Sequence, residues 1–295
     1  MIGKAIMPAL DAAQSRPDAR VIKPLDAAPD TPWQAVLGVM TDIDDTLTRD
    51  GQLDPAARRA LQDLADAGVP VIAITGRPMG WSRDFLRPGP EAWPLRTIVA
   101  ENGAVALRRE GDEVHTEYAQ DEATRARNAR RLAAVLARVQ REVPGARPAR
   151  DSAGRVTDIA IDHSEHAHLD AAAIDRVVAL MQEEGMTATV SSIHVNGWYG
   201  THDKLSGARW MLRRLFGREL DDEVGRWVYV GDSTNDQLLF GHFPLSVGVA
   251  NLMRFADELH TWPAWITAGE RGAGFAEVAA RVLAGRLPRR SAPVR

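Results

Sequence analysis

Short, continuous apolar runs alternate along this chain with segments whose apolar positions recur every three or four residues. AVLGVMTD (35–42), VPVIAIT (69–75), TIVAENG (97–103), RWVYVGD (226–232) and LSVGVAN (245–251) are runs with little polar interruption, the pattern of strands buried on both faces. LDPAARRALQDLADAG (53–68) places Leu53, Ala57, Leu61, Leu64 and Ala65 on one helical face, with Pro55 near the start and Gly68 as the stop. LSGARWMLRRLFG (205–217) reads as a second such helix. Strands alternating with helices predict the α/β class: a doubly wound, parallel, Rossmann-like core sheet whose ligands bind beyond the carboxyl ends of the strands.

The middle of the chain breaks this rhythm. From about 105 to 196 it shows short hairpin-like strands and two long helices. The first helix carries Leu132, Val135, Leu136, Val139 and Val143; the second, 168–184, carries Leu169, Ile174, Val177, Val178 and Met181. RVTDIAID and TATVSSIHV supply strands after each. The expected organisation is a catalytic core over 33–108 and 199–285, interrupted by an α+β cap over 109–198. Residues 1–32 read as a loosely packed leader and 286–295 as a tail, neither with chemistry assigned.

Composition narrows the function classes. The 295 residues are 45% hydrophobic and 26% charged, ordinary for a globular protein, and a net charge of −4 gives no footprint for nucleic acid or an anionic membrane. The absence of cysteine excludes disulfides, thiolate metal sites and a Cys nucleophile. No stretch has signal-peptide or membrane-span character, so a cytoplasmic location is expected, with a small molecule as partner and the oligomeric state left open. Only three of 36 basic residues are lysines, Lys4, Lys23 and Lys204; in an arginine-rich chain an internal lysine marks a place for a compact ammonium, and this singles out Lys204.

Four polar features fall at the ends of the predicted core strands: Asp42 and Asp44 after the first, Thr75-Gly76-Arg77 after the second, Lys204 where the chain re-enters the core, and Asp232, Asn235 and Asp236 in GDSTND. In a doubly wound sheet these meet in one crevice. Clustered carboxylates repel unless a cation or a reacting group separates them. Phosphoryl transfer has that need: neutralised equatorial oxygens and an in-line nucleophile. Asp42 suits both nucleophile and magnesium ligand, and Asp44, two residues on, suits proton transfer to the leaving alkoxide and then from water.

Asp-Ile-Asp-Asp-Thr-Leu at 42–47 resembles the DxDxT[LV] signature of the haloacid dehalogenase superfamily, and Thr75, Lys204 and GDSTND (231–236) follow in that superfamily's order. ITGRP, ENGA (101–104) and VGVAN look like its subfamily IIB, which carries a large α/β cap and includes sugar-phosphate and sucrose-phosphate phosphatases and phosphomannomutases. The resemblance spans about residues 36 to 285. It implies a magnesium-dependent phosphatase acting on a small phosphomonoester, with a sugar phosphate as the expected substrate. Asp42 is then the nucleophile and Asp44 the general acid/base; the Asp42 side chain, the Asp44 carbonyl and Asp232 hold magnesium, with Asp236 supporting the lysine or the metal; Thr75, Gly76, Lys204 and Asn235 bind phosphate. A receiver domain of a response regulator fits less well, since there the acidic pair comes first and the lysine last. Two alternatives stay open: a phosphosugar mutase or phosphotransferase, and a protein that binds a phosphorylated ligand without turnover.

The remaining candidates are weaker. Arg77, Asn102, Arg155 and Trp198 are candidate substrate contacts; Trp198 and Tyr199 serve equally as hinge packing, and Asn102 as a turn residue. Asp158 is a candidate on the same cap strand as Arg155. His163, His166 and His168 read as exposed loop residues, Asp45 as a solvated or turn residue, and Thr48 and Arg49 as structural.

Overall fold

The computed structural model describes residues 22–286. Nine strands form one sheet in the order Lys23–Pro24, Trp265–Ile266, Leu245–Gly248, Trp227–Gly231, Gly38–Thr41, Val71–Ile74, Thr97–Ala100, Val105–Glu110, Glu113–Tyr118. The first seven are parallel. The last two close one edge as an antiparallel hairpin.

The uninterrupted apolar runs have a direct cause, because alternate residues serve two different cores. Val39, Ala73 and Val230 face Leu61, Leu64, Phe275 and Val278 of the helices Pro55–Asp66 and Arg271–Arg286. Met40, Ile72 and Tyr229 face Ala208, Met211 and Leu212 of the helix Lys204–Phe216. Successive parallel strands lie to one side of Gly38–Thr41 and then, after the chain returns, to the other. The strand order reverses there, and the crevice at its carboxyl end is where a doubly wound sheet binds ligand.

A second, antiparallel sheet has the order Thr187–Val190, His194–Trp198, Asp158–Asp162, Arg147–Pro148. The helices Glu122–Glu142 and Ala171–Glu183 cover one face through Leu132, Val135, Val139, Val177 and Leu180 packed on Ile159, Ile161 and Val195. Register pairs Asp158 with Trp198, Ala160 with Asn196 and Asp162 with His194, so these six share the opposite face. That face is polar and meets the crevice: Asn196 Nδ2 donates to the Gly76 carbonyl at 3.4 Å.

Two boundaries differ from the sequence reading. The 108/109 border falls inside the Val105–Tyr118 hairpin, whose two strands both pair within the large sheet. Alternating hairpin strands look alike whichever sheet they extend. Residues 22–32 are not loose: Lys23–Pro24 pairs with Trp265–Ile266, and Leu25 and Ala28 are buried. The rest of the predicted leader, 1–21, and most of the tail, 287–295, lie outside the described residues.

Candidate active site

The acidic turn is built around Ile43. Its side chain is fully buried, and its carbonyl accepts hydrogen bonds from the backbone N–H groups of Leu47 and Thr48 and from the Thr48 hydroxyl. With that apolar pin inside, the neighbouring carboxylates point out of the strand end. The Asp42 N–H donates to the Val230 carbonyl at 2.9 Å, tying the turn to the adjacent strand. Asp45 takes the left-handed conformation (φ 54°), which Asp tolerates better than most residues.

Lys204 opens its helix behind the N-cap Asp203, whose carboxylate accepts the Ser206 N–H. Its buried ammonium donates to Asp42 Oδ1 at 2.6 Å, Asp236 Oδ1 at 2.7 Å and Asn235 Oδ1 at 3.3 Å. Burial alone would lower its pKa, but the Asp236 and Asp42 carboxylates outweigh that and hold it raised. Asp236 also accepts the Tyr229 hydroxyl at 2.6 Å and, through Oδ2, the N–H groups of Asp232 and Ser233. Four donors therefore occupy this carboxylate, and it serves as the lysine's anchor.

One ammonium does not balance this many buried carboxylates. Burial, with Lys204 opposing and Asp236 and Asp44 reinforcing, pushes Asp42 up to about 8; burial together with Asp42 and Asp236 pushes Asp232 well above the carboxylate range. Oxygens of Asp42, Asp232 and Asp236 lie within 4.8 Å of one another. Asp232 has only long contacts, from the Thr46 hydroxyl at 3.3 Å and Asn251 Nδ2 at 3.4 Å. Hard oxygen donors, an excess of negative charge and weakly engaged carboxylate oxygens fit a magnesium ion held by Asp42 and Asp232.

Around this centre the other predicted residues assemble. Thr75 is buried; its hydroxyl accepts the Arg77 N–H at 3.0 Å, and its carbonyl accepts the Asn102 N–H. A Cβ on Gly76 would stand 3.2 Å from the side-chain oxygens of both Asn102 and Asn196, so only glycine fits there without movement. Arg77 Nε donates to both Asp44 carboxylate oxygens. From the cap, Arg155 donates to the Gly76 carbonyl at 2.8 Å and pairs with Asp158 at 2.9 Å. A crevice of about 580 Å³ opens beside Asp44 and Asp232, bounded by Arg77, Glu165, Asn251 and Arg271.

Three expectations change. Trp198 is only 1% exposed, stacks on His202 and donates its indole N–H to the His202 carbonyl, so it packs the hinge and does not line the crevice. His163 is buried, with its ring nitrogens on Ser164 Oγ and the Ser191 carbonyl, whereas His166 and His168 are exposed. Asp45 is not simply solvated, since it pairs with Arg271 at 2.8 Å.

Several participants escaped the sequence reading. Tyr229 sits in an apolar strand, where a lone hydroxyl is the only hint of a polar partner. Glu101 is fully buried and accepts from Met79 N–H, Val156 N–H and both the N–H and hydroxyl of Thr157, joining core to cap. Asn251, in the quoted VGVAN, bridges Asp232, the Asp45 carbonyl and the Arg271 N–H. Glu165, Asp151 and His194 come from cap segments without a readable motif.

Residues 39–129 match the haloacid dehalogenase-like hydrolase family. No curated protein matches the sequence. Among solved structures, a protein of Thermoplasma acidophilum superposes with a TM-score of 0.63 at 15% identity, covering 84% of this chain and 98% of that one. The sucrose-phosphatase of Synechocystis, solved with sucrose and phosphate, superposes at 0.60 and 18% identity, covering 83% and 97%. A phosphatase of the haloalkanoate superfamily from Bacteroides thetaiotaomicron superposes at 0.55 and 15% identity, covering 84% and 96%. Over residues 39–129 the chain thus matches the haloacid dehalogenase-like hydrolase family in sequence, and its fold, cap included, is shared with these solved structures.

Proposed function

We propose that this protein is a magnesium-dependent phosphatase that hydrolyses a small phosphomonoester, preferentially a sugar phosphate, through an aspartyl-phosphate on Asp42. The observation that carries this reading is Lys204 held between Asp42 and Asp236, with Asp232 adjacent and undercompensated. A bound magnesium ion would be held by Asp42 and Asp232 and would neutralise charge on the transferring phosphoryl group.

In the first half-reaction a carboxylate oxygen of Asp42 attacks phosphorus, the bond to the ester oxygen breaks, and Asp44 gives its proton to that leaving oxygen. In the second, Asp44 takes a proton from a water that attacks phosphorus, and the bond to Asp42 breaks, releasing phosphate. Lys204 and the Thr75 hydroxyl bind the phosphoryl oxygens, and Asp236 with Asn235 keeps the ammonium in place. The polar cap face bearing Asp158, Asn196 and His194 suits a hydroxyl-rich leaving group, and the fold shared with a phosphatase solved with sucrose supports that class. Cap closure over the crevice excludes bulk water.

Phosphate release from glucose 6-phosphate, fructose 6-phosphate, sucrose 6-phosphate, glycerol phosphate and p-nitrophenyl phosphate, with magnesium or EDTA, tests the proposal. Magnesium-dependent release that disappears in Asp42→Asn supports it. Ligand-induced stabilisation without release from any ester contradicts it.

A further inference from the structure

Arg77 is the point where core and cap chemistry touch. The residue is 4% exposed, and its backbone is fixed at both ends, with the N–H on the Thr75 hydroxyl and the carbonyl accepting the Glu101 N–H. The inner edge of its guanidinium faces Asp44: Nε lies 2.9 and 3.0 Å from the two carboxylate oxygens and Nη2 lies 2.9 Å from Oδ1. The outer edge belongs to the cap. Nη1 donates to Asp151 at 3.1 Å and to Glu165 Oε2 at 3.2 Å, while Nη2 donates to Glu165 Oε1 at 2.6 Å. Trp81 lies against the guanidinium, 5.0 Å from its carbon.

The cap carboxylate is itself held. His194 Nε2 is 3.1 Å from Glu165 Oε2, and the Glu165 N–H donates to Asp162 at 2.9 Å. Both partners lie in or beside the polar face of the cap sheet.

A guanidinium is a flat fork whose donors keep fixed directions. Fixing its outer edge therefore fixes the direction of its inner edge, and with it the Asp44 carboxylate. We propose that Glu165 and Asp151 are positioning residues for Asp44: acting from the cap through Arg77, they aim the general acid. This rests on the assignment of Asp44 under the proposed function. It makes the acid's geometry a consequence of the cap's contacts with the outer edge of Arg77.

The test uses leaving groups that differ in their need for a proton. An alkoxide requires protonation as it departs, whereas p-nitrophenolate leaves unaided. Because kcat/KM reports steps through departure of the leaving group, it isolates the half-reaction in which Asp44 acts as acid. The comparison is kcat/KM for p-nitrophenyl phosphate against that for the fastest alkyl ester of the panel above, in wild type, Glu165→Ala, Glu165→Gln and Asp151→Asn, each checked by thermal unfolding. In Glu165→Ala the alkyl-to-aryl ratio is expected to fall about tenfold, part of the 10²–10⁴ that a general acid supplies. Glu165→Gln, which keeps one acceptor for the fork, recovers part of that ratio, and Asp151→Asn shows the same selective loss to a smaller degree.

Equal losses on both esters in folded Glu165→Ala and Asp151→Asn overturn the proposal while leaving the phosphatase reading intact. If Glu165→Ala does not fold, Asp151→Asn alone decides. Wild-type protein that turns over neither ester contradicts the phosphatase reading and this proposal together.

Discussion

The Nζ of Lys204 lies 2.6 Å from Oδ1 of Asp42, although 162 residues separate them in the chain. The pair exists because one helix begins where the cap returns to the core and one strand ends where the sheet order reverses. Its value to the fold is reciprocal. Lys204 is the only side-chain cation that donates to Asp42 or Asp236 among the described residues, and those carboxylates keep a buried ammonium charged.

Replacing Lys204 by Met should therefore cost about 3 kcal/mol or more of stability in EDTA, because it leaves buried carboxylates without their partner. Magnesium should recover part of this loss. Denaturant unfolding with and without magnesium measures both, and an unaltered midpoint in EDTA would contradict the assignment.

Tyr229→Phe removes one 2.6 Å hydrogen bond to a buried, charged acceptor and little else. The expected loss is about 1.5–3 kcal/mol. Because Asp236 keeps its three other donors, activity should fall less than in Lys204→Met. Chemical denaturation and steady-state rates on one preparation read the two effects separately.

Gly103 has φ 106°, and a Cβ there would stand 2.0 Å from the carbonyl oxygen of Asp203, the residue that caps the Lys204 helix. Gly103→Ala must strain the backbone or push that helix away. We expect destabilisation of more than about 3 kcal/mol, together with a loss of phosphate release larger than that of a control glycine substitution at Gly111, where nothing lies within 4 Å.

His202 is mostly buried beside Trp198, and burial, opposed only by Asp203, lowers its pKa from 6.5 to about 4. The unfolded chain thus binds a proton that the folded chain refuses. Stability from this site is fully present above pH 6.5 and is lost as pH falls from 6.5 towards 4, by an amount on the order of 2–3 kcal/mol. His202→Phe keeps a ring against Trp198 but cannot titrate. Its unfolding free energy should vary less than that of wild type between pH 7 and 4, and parallel curves would sink the attribution.

Much of the core was legible because each strand must satisfy two apolar layers, which leaves runs such as GVM and VIAI with no polar alternation. The candidate site residues could be read for a related reason: Asp42, Thr75 and Asp232 each stand immediately beyond the end of a core strand. What stayed hidden depends on distance. Nothing near Glu165 in the sequence announces Arg77, 88 positions earlier, and a cap loop has no period from which to infer the face it presents. Trp198 and Tyr199 could be read for substrate or for hinge, since a large ring serves either, and only burial separates the two. Lys23–Pro24 pairs over two residues, too short a run for any pattern to mark it as a strand.

The central claim is that Asp42 becomes phosphorylated during turnover. Acid-quenching the protein with magnesium and its best phosphoester, then mapping the phosphoryl adduct by peptide mass spectrometry, tests it most directly. The expected result is a magnesium-dependent, hydroxylamine-labile adduct on Asp42 that is absent from Asp42→Asn. Steady turnover by Asp42→Asn, or an adduct on another residue, would contradict it.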